Sequence, residues 1–234
     1  MDSTNNYAMA KVHAGMASEG TIFYAHEQWA GKGQRGKSWS SLPGENIIMS
    51  AVLEPGFLTV TRQFPLSVCV ALACHDFYSH YAGAVETSIK WPNDLYWNDR
   101  KAGGILIENS FRGDKWLASI AGIGININQE QFPGTLRNPV SLKQITGKGY
   151  DAVEMARELG GYLWLRYEEL QTMGAEFQLA AYNARLYKRG QVIFLMWKDI
   201  VVKTLVKSVG AGGELLTEDT TERQFRFGEA EWMI

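Results

Sequence analysis

Apolar and polar residues repeat along this chain with two periods, and the changes of period mark its elements. Ser3 or Thr4 can cap a first helix running to between His13 and Ala17, with Tyr7, Ala10 and Ala14 on one face. Two apolar, β-branched runs, Thr21 to Glu27 and Asn46 to Glu54, read as strands. Pro65 suits the first turn of a helix ending near Tyr81, and its centre, Val68 to Ala73, is apolar all round, predicting burial. Ser88 to Trp97, Lys101 to Asn109 and Trp116 to Asn128 are strand-like, with short polar turns at Asn98–Arg100 and Phe111–Lys115, the pattern of an antiparallel meander. Asp151 to Met173 is the clearest amphipathic helix, with Ala152, Ala156, Leu159, Leu163, Tyr167 and Leu170 on one stripe, and a shorter helix follows at about 175–186.

After Arg189-Gly190 short β runs alternate with turns at Lys198-Asp199 and at Gly210 to Gly213. This predicts a main domain, 1–187, and a small C-terminal β-barrel, 188–234. The expected class is α+β: a mixed, mostly antiparallel sheet with helices on one side, plus the barrel.

Composition narrows the picture. The chain has 234 residues, 46% hydrophobic and 21% charged, as in an ordinary soluble globular protein. A net charge of −2 argues against a dedicated nucleic-acid binder. Cys69 and Cys74, five apart in a helical run, point to different faces and read as buried free thiols in a reducing compartment. His13, His26, His75 and His80 have no metal-ligand spacing. With no apolar run of the ~20 residues a membrane span needs and no secretory leader pattern, a cytoplasmic protein without membrane contacts is expected.

Two constellations carry chemistry. Gly31 to Ser38, Gly-Lys-Gly-Gln-Arg-Gly-Lys-Ser, matches both the G-x-G-x-x-G dinucleotide fingerprint and the G-x-x-x-x-G-K-S phosphate loop. Both require a helix to start at the last glycine. Here Trp39-Ser40-Ser41-Leu42-Pro43-Gly44 follows, a run of turn formers, so the arrangement is strand, basic glycine loop, strand. Lys32, Arg35 and Lys37 within that loop still argue for an anionic ligand. The second constellation is Lys90-Trp91-Pro92-Asn93-Asp94-Leu95-Tyr96 followed by Arg100-Lys101-Ala102-Gly103-Gly104-Ile105-Leu106. A proline inside a strand removes a ladder donor, and two lysines with an Asn-Asp pair are costly in a buried hairpin unless they line a site. In Gly122-Ile123-Gly124-Ile125-Asn126, glycines within a strand let a flat ligand approach the backbone, and Asn126 can offer a donor and an acceptor to a nucleobase edge.

With Ser3-Thr4-Asn5 and Gln28 ahead of them, these motifs make the chain resemble the biotin protein ligases, in matching order over about residues 2–128 and by element pattern to the C-terminus. The resemblance implies a class II synthetase-like core, an SH3-like barrel, and a two-step reaction. Biotin and ATP, with Mg²⁺, would give biotinyl-5′-AMP and pyrophosphate, and the adenylate would acylate a lysine of a biotin carboxyl carrier protein. It implies that Ser3, Thr4, Asn5 and Gln28 bind the ureido ring. Gly31, Lys32, Gly33 and Gln34 would close over biotin, and Arg35, Gly36 and Lys37 over the adenylate. Lys101 would touch the biotin carboxyl and the phosphate, with Arg35 and Lys90 as further catalytic cations. Gly104, Gly122 and Gly124 would floor the pocket, Trp39 would lie beside the adenine, and Asn93 and Asn126 would serve the nucleotide. Lys90 would hold phosphates while Asp94 binds Mg²⁺ or orients Lys101; structural support by the pair is the alternative. Lys32 and Gln34 stand where many members carry arginines, which weakens the expected hold on the intermediate. The chain starts directly at the Ser-Thr-Asn motif, so the DNA-binding segment of some relatives has no room and no DNA contact is expected. A lipoate– or octanoate–protein ligase of the same fold and a catalytically silent sensor of biotin or nucleotide are the competing readings. Strand edges near 101–128 are candidates for pairing in a homodimer.

Overall fold

The computed structural model describes residues 1–233. Its first sheet contains β1 (Ile22–Tyr24), β2 (Asn46–Leu53), β3 (Thr87–Lys90), β4 (Asp94–Trp97), β5 (Arg100–Arg112) and β6 (Lys115–Asn126). The strand order is β1-β2-β6-β5-β4-β3, with every neighbouring pair antiparallel. Among the described residues five α-helices accompany it: α1 (Thr4–His13), α2 (Phe64–Ala82), α3 (Leu142–Thr146), α4 (Ala152–Met173) and α5 (Ala175–Ala184). A second antiparallel sheet joins β7 (Val192–Trp197), β8 (Ile200–Val209), β9 (Leu215–Glu218), β10 (Glu222–Phe225) and β11 (Ala230–Trp232) in the order β10-β9-β8-β7-β11.

The two faces of the first sheet have different fates. Ile47, Met49, Ala51 and Leu53 alternate along β2 and enter the main core with the buried centre of α2 and the stripe on α4. That stripe is the expected one, with Met155 added. The opposite face bears Val52, Ala118 and Ile120 beneath Ala8 of α1, so α1 lies across the sheet from α2 and α4, a departure from helices on one side. Its inward residues are Thr4, Asn5 and Ala8; Tyr7 and Ala10 are exposed, and Ala14 lies past the last turn. Apolar spacing therefore picks the wrong face of α1, because this face of the sheet offers polar partners.

Pro92 does not interrupt a strand. It follows a cis peptide bond in the turn between β3 and β4, where a missing N–H costs no ladder bond. Of the candidate dimer edges, much is already paired, since β6 lies between β2 and β5 and β5 pairs with β4 through Gly104. Within 101–128, β5 beyond Gly104 and β6 before Ser119 each keep one edge free of a strand neighbour. Cys69 and Cys74 are buried free thiols on α2. Helix α3, which the apolar pattern does not reveal, starts at a capping box in which Ser141 and Gln144 satisfy each other's backbone N–H groups.

A polar knot ties α2 to α4 and α5. Arg166 donates through Nε to Asp76 at 2.6 Å and through Nη1 to Glu169, while Gln178 donates to Glu169 at 3.0 Å and to the Arg166 carbonyl at 2.6 Å. Burial alone would raise the Asp76 pKa; hydrogen bonds from His75 and Arg166, with the Arg166 and Arg185 charges, outweigh it and hold the carboxyl below its ordinary range. A depressed folded-state pKa contributes stability above the unfolded pKa of about 4 and loses it as pH falls through the folded value. Asp76→Asn is therefore expected to be less stable than wild type at pH 7, with the gap closing on acidification below about pH 4. Urea midpoints between neutral and acid pH test this, and a pH-independent gap would refute it.

Candidate active site

A cleft of about 920 Å³ opens on the α1 side of the first sheet, between the Gly31–Ser38 loop, the 132–139 segment and the second sheet. Its floor follows from register. Gly104 on β5 sits opposite Gly124 on β6, and Leu106 opposite Gly122. A Cβ on Gly124 would lie 2.5 Å from the Trp39 indole, and one on Gly122 would strike the side-chain oxygen of Asn5. The glycines thus let Trp39 and Asn5 lie directly on the sheet.

One end of the cleft is polar and without net charge, since Lys32 there is paired with Glu108. Ser3 is the N-cap of α1, yet its side chain makes no capping bond. The Thr4 N–H and hydroxyl donate to Gln28 Oε1 at 2.6 and 3.0 Å. The buried Ser50 hydroxyl lies 2.6 Å from Asn5 Oδ1 and 2.7 Å from Thr4 Oγ1. Asn5 Nδ2 donates to Glu108 at 2.8 Å and to the Leu106 carbonyl at 3.2 Å. With both amide protons committed, Asn5 offers a ligand only its oxygen, so this end presents acceptors matched to N–H donors.

The other end is cationic. The loop folds back on itself, with Trp39 N–H donating to the Gly31 carbonyl at 2.9 Å and Gly33 N–H to the Lys37 carbonyl at 2.6 Å. Its tip is a short 3₁₀ turn, Gln34–Gly36, with Arg35 at φ 56° and Gly36 at φ 75°; no helix starts there. Arg35 Nη1 donates to the Gly228 carbonyl at 3.0 Å, tying the tip to the second sheet. Lys101 Nζ donates to Asp94 Oδ1 at 2.6 Å. Lys90 lies 4.9 Å from the Tyr96 ring and 5.6 Å from the Trp232 ring. Burial lowers its pKa to about 8; the Lys101 and Lys37 charges push the same way, and Asp94 and Glu231 oppose them.

Of the sequence-predicted residues, Ser3, Thr4, Asn5, Gln28, Lys32, Gly33, Gln34, Arg35, Lys37, Trp39, Lys90, Asn93, Asp94, Lys101, Gly104, Gly122, Gly124 and Asn126 line this one cleft. Gly31 and Gly36 stand behind the lining: Gly31 packs under the Trp39 carbonyl, and Gly36 supplies the turn. The two asparagines assigned to the nucleotide are already engaged. Asn93 Nδ2 donates to the Ile105 carbonyl at 2.6 Å, and Asn126 Nδ2 to the Val140 carbonyl at 3.1 Å, so Asn126 keeps its oxygen rather than a free donor. Sequence reasoning missed Phe132, Arg137 and Asn138, and the wall formed by Phe227, Glu231 and Trp232. The turn formers Pro133-Gly134 and Asn138-Pro139 mark a loop but carry no sign of where it lies. Among the described residues no three His, Cys, Asp or Glu side chains are arranged to hold a metal by themselves.

A sequence profile of the biotin/lipoate A/B protein ligase family matches residues 1–126. The chain is 36% identical over 162 residues to the bifunctional ligase/repressor BirA of Bacillus spizizenii, covering 68% of this chain and 49% of that protein. It therefore spans about half the length of the first curated relatives it matches. It is also 31% identical over 230 residues to a biotin–[acetyl-CoA-carboxylase] ligase of Paracoccus denitrificans, covering 95% of this chain and 93% of that one. Among solved structures, the biotin protein ligase of Aquifex aeolicus in complex with biotin and ATP superposes with a TM-score of 0.81 at 22% identity, over 99% of this chain and 95% of that one, and shares the fold. With the profile covering more than half of its length, the chain belongs to the biotin/lipoate A/B protein ligase family.

Proposed function

We propose that this protein is an ATP-dependent ligase that forms biotinyl-5′-AMP from biotin and ATP and transfers biotin to a lysine of a biotin carboxyl carrier protein or domain. The observation that carries this reading is the polarity of the cleft: an acceptor-lined neutral end beside a cluster of Arg35, Lys37, Lys90 and Lys101. The ureido ring, with two N–H donors and one carbonyl acceptor, suits the Thr4 and Asn5 oxygens and the Gln28 amide N–H. Its carboxylate then extends over the glycine floor toward Lys101. There a carboxylate oxygen attacks the α-phosphorus, and pyrophosphate leaves with the electron pair of the broken P–O bond. Two anions must meet in this step, so the lysines and Arg35 reduce the repulsion and stabilise charge developing on phosphate oxygens. In the second step the neutral carrier amine attacks the acyl carbon, AMP departs with the electron pair of the broken C–O bond, and the nitrogen loses one proton to water.

The donor set fits Mg²⁺ that arrives with the triphosphate, since Mg²⁺ keeps waters and takes one or two carboxylates plus phosphates. Asp94 would hold it and the ion would supply charge neutralisation. We read residues 1–187 as the biotin- and ATP-binding unit and 188–234 as a unit that walls the nucleotide end. Free buried thiols support a reducing, cytoplasmic location, and among the described residues no helix is long and apolar enough to cross a membrane.

Incubation with biotin, Mg²⁺ and labelled ATP tests the reading by release of pyrophosphate and appearance of biotinyl-AMP, followed by carrier labelling. Turnover with lipoate or octanoate alone, or binding without pyrophosphate release, would overturn it. Arg35→Gly is expected to leave adenylate formation measurable while letting biotinyl-AMP escape into solution, because the residue latches the loop over the intermediate. Glycine accepts the φ of 56° without strain, so the change removes the side chain and spares the turn. Free adenylate no higher than in wild type, measured by chromatography of the filtrate, would count against this.

A further inference from the structure

Glu108 does not line the cleft, yet it touches both parts of the proposed biotin site. It sits on β5, and its Oε2 accepts from Asn5 Nδ2 at 2.8 Å. Its Oε1 lies 3.5 Å from Lys32 Nζ in the loop. Lys32 also donates to Asn6 Oδ1 at 2.5 Å, so the loop is tied to α1 and to β5 at one point. A carboxylate only accepts hydrogen bonds. Together with the Leu106 carbonyl it therefore obliges Asn5 to turn its nitrogen away from the cleft and its oxygen toward Ser50 and Gly122.

We infer that Glu108 is a positioning residue that couples closure of the Gly31–Ser38 loop to the biotin-accepting orientation of Asn5. The inference rests on the biotin-ligase reading and deepens it. Closure brings the Lys32 ammonium to a carboxylate whose other oxygen holds Asn5, so the retained ligand and the closed loop stabilise each other. Both partners are partly exposed, at 43% and 36%, which makes the latch modest and screened by salt.

The test is a double-mutant cycle on release of biotinyl-AMP, using Glu108→Lys, Lys32→Glu and the reversed pair, with Glu108→Gln alongside. Glu108→Gln is expected to release the adenylate about two- to fivefold faster at low salt, and to lose the acceleration that salt produces in wild type. Glu108→Lys should release it faster still, and adding it to Lys32→Glu should slow release relative to Lys32→Glu alone. The KM for ATP should stay within about twofold, the range of an indirect contact, while that for biotin rises. Strictly additive effects, an unchanged salt profile, or equal rises in both KM values would overturn the inference. Biotin binding by the wild-type protein is measured first by calorimetry. Its absence would remove the underlying reading, whereas normal binding with additive variants would remove only the Glu108 latch.

Discussion

Lys101→Ala is expected to slow biotinyl-AMP formation by about 10³-fold, the loss that follows removal of one donor aimed at developing charge. The Lys101 ammonium sits at the junction of the neutral and cationic ends and is anchored at 2.6 Å by Asp94. In the proposed reaction it is held where the biotin carboxylate and the α-phosphate would meet, and it would act on charge that grows between ground and transition state. The backbone of Lys101 has a separate duty: its N–H donates to the Asn138 carbonyl at 2.7 Å, and its carbonyl accepts from Val140 N–H at 2.9 Å. Truncating the side chain spares both bonds, so the 132–139 segment keeps its place and the melting temperature should fall by only a few degrees. Pyrophosphate release under saturating substrates reads the rate, and thermal unfolding reads the fold. A variant within tenfold of wild type would remove Lys101 from the chemistry.

Gly124→Val should weaken ATP binding by about 5- to 150-fold, the range set by the 1–3 kcal/mol cost of overpacking a filled site. A Cβ there would lie 2.5, 2.6 and 2.8 Å from three atoms of the Trp39 indole, closer than any real contact, before the valine methyls are counted. The strand cannot retreat, because β6 is paired on both sides. The indole must therefore leave, dragging the end of the loop whose Trp39 N–H bonds the Gly31 carbonyl. Calorimetric titration with ATP, alongside tryptophan fluorescence, measures the effect. Wild-type affinity would show that the indole has no part in holding the nucleotide.

The parts of the molecule that were legible share a cause. The α4 stripe and the all-apolar centre of α2 are strong signals because the first packs on one apolar face and the second is enclosed by apolar neighbours. The basic glycine loop could be separated from true phosphate loops because a helix start needs residues that Trp39 to Gly44 do not supply. The misread α1 face, the missed wall of Phe227, Glu231 and Trp232 and the unplaced 132–139 segment share the opposite cause: each is defined by what lies across from it. Thr4 and Asn5 look like exposed helix-start residues until Ser50 and Glu108 are set beside them.

Sequence by itself determined most of the elements, the cationic character of the loop and the glycines of the floor, since local propensity, charge and the absence of a side chain are properties of single residues. Tertiary structure alone decided that these converge. Asn5 meets Glu108 across 103 positions, Arg35 meets the Gly228 carbonyl across 193, and Trp91 Nε1 meets the Gly213 carbonyl across 122. Such contacts depend on sheet register and on which face each element buries. A one-residue slip in β5 or β6 would turn Gly104 and Gly124 to the other face and close the cleft with isoleucine side chains.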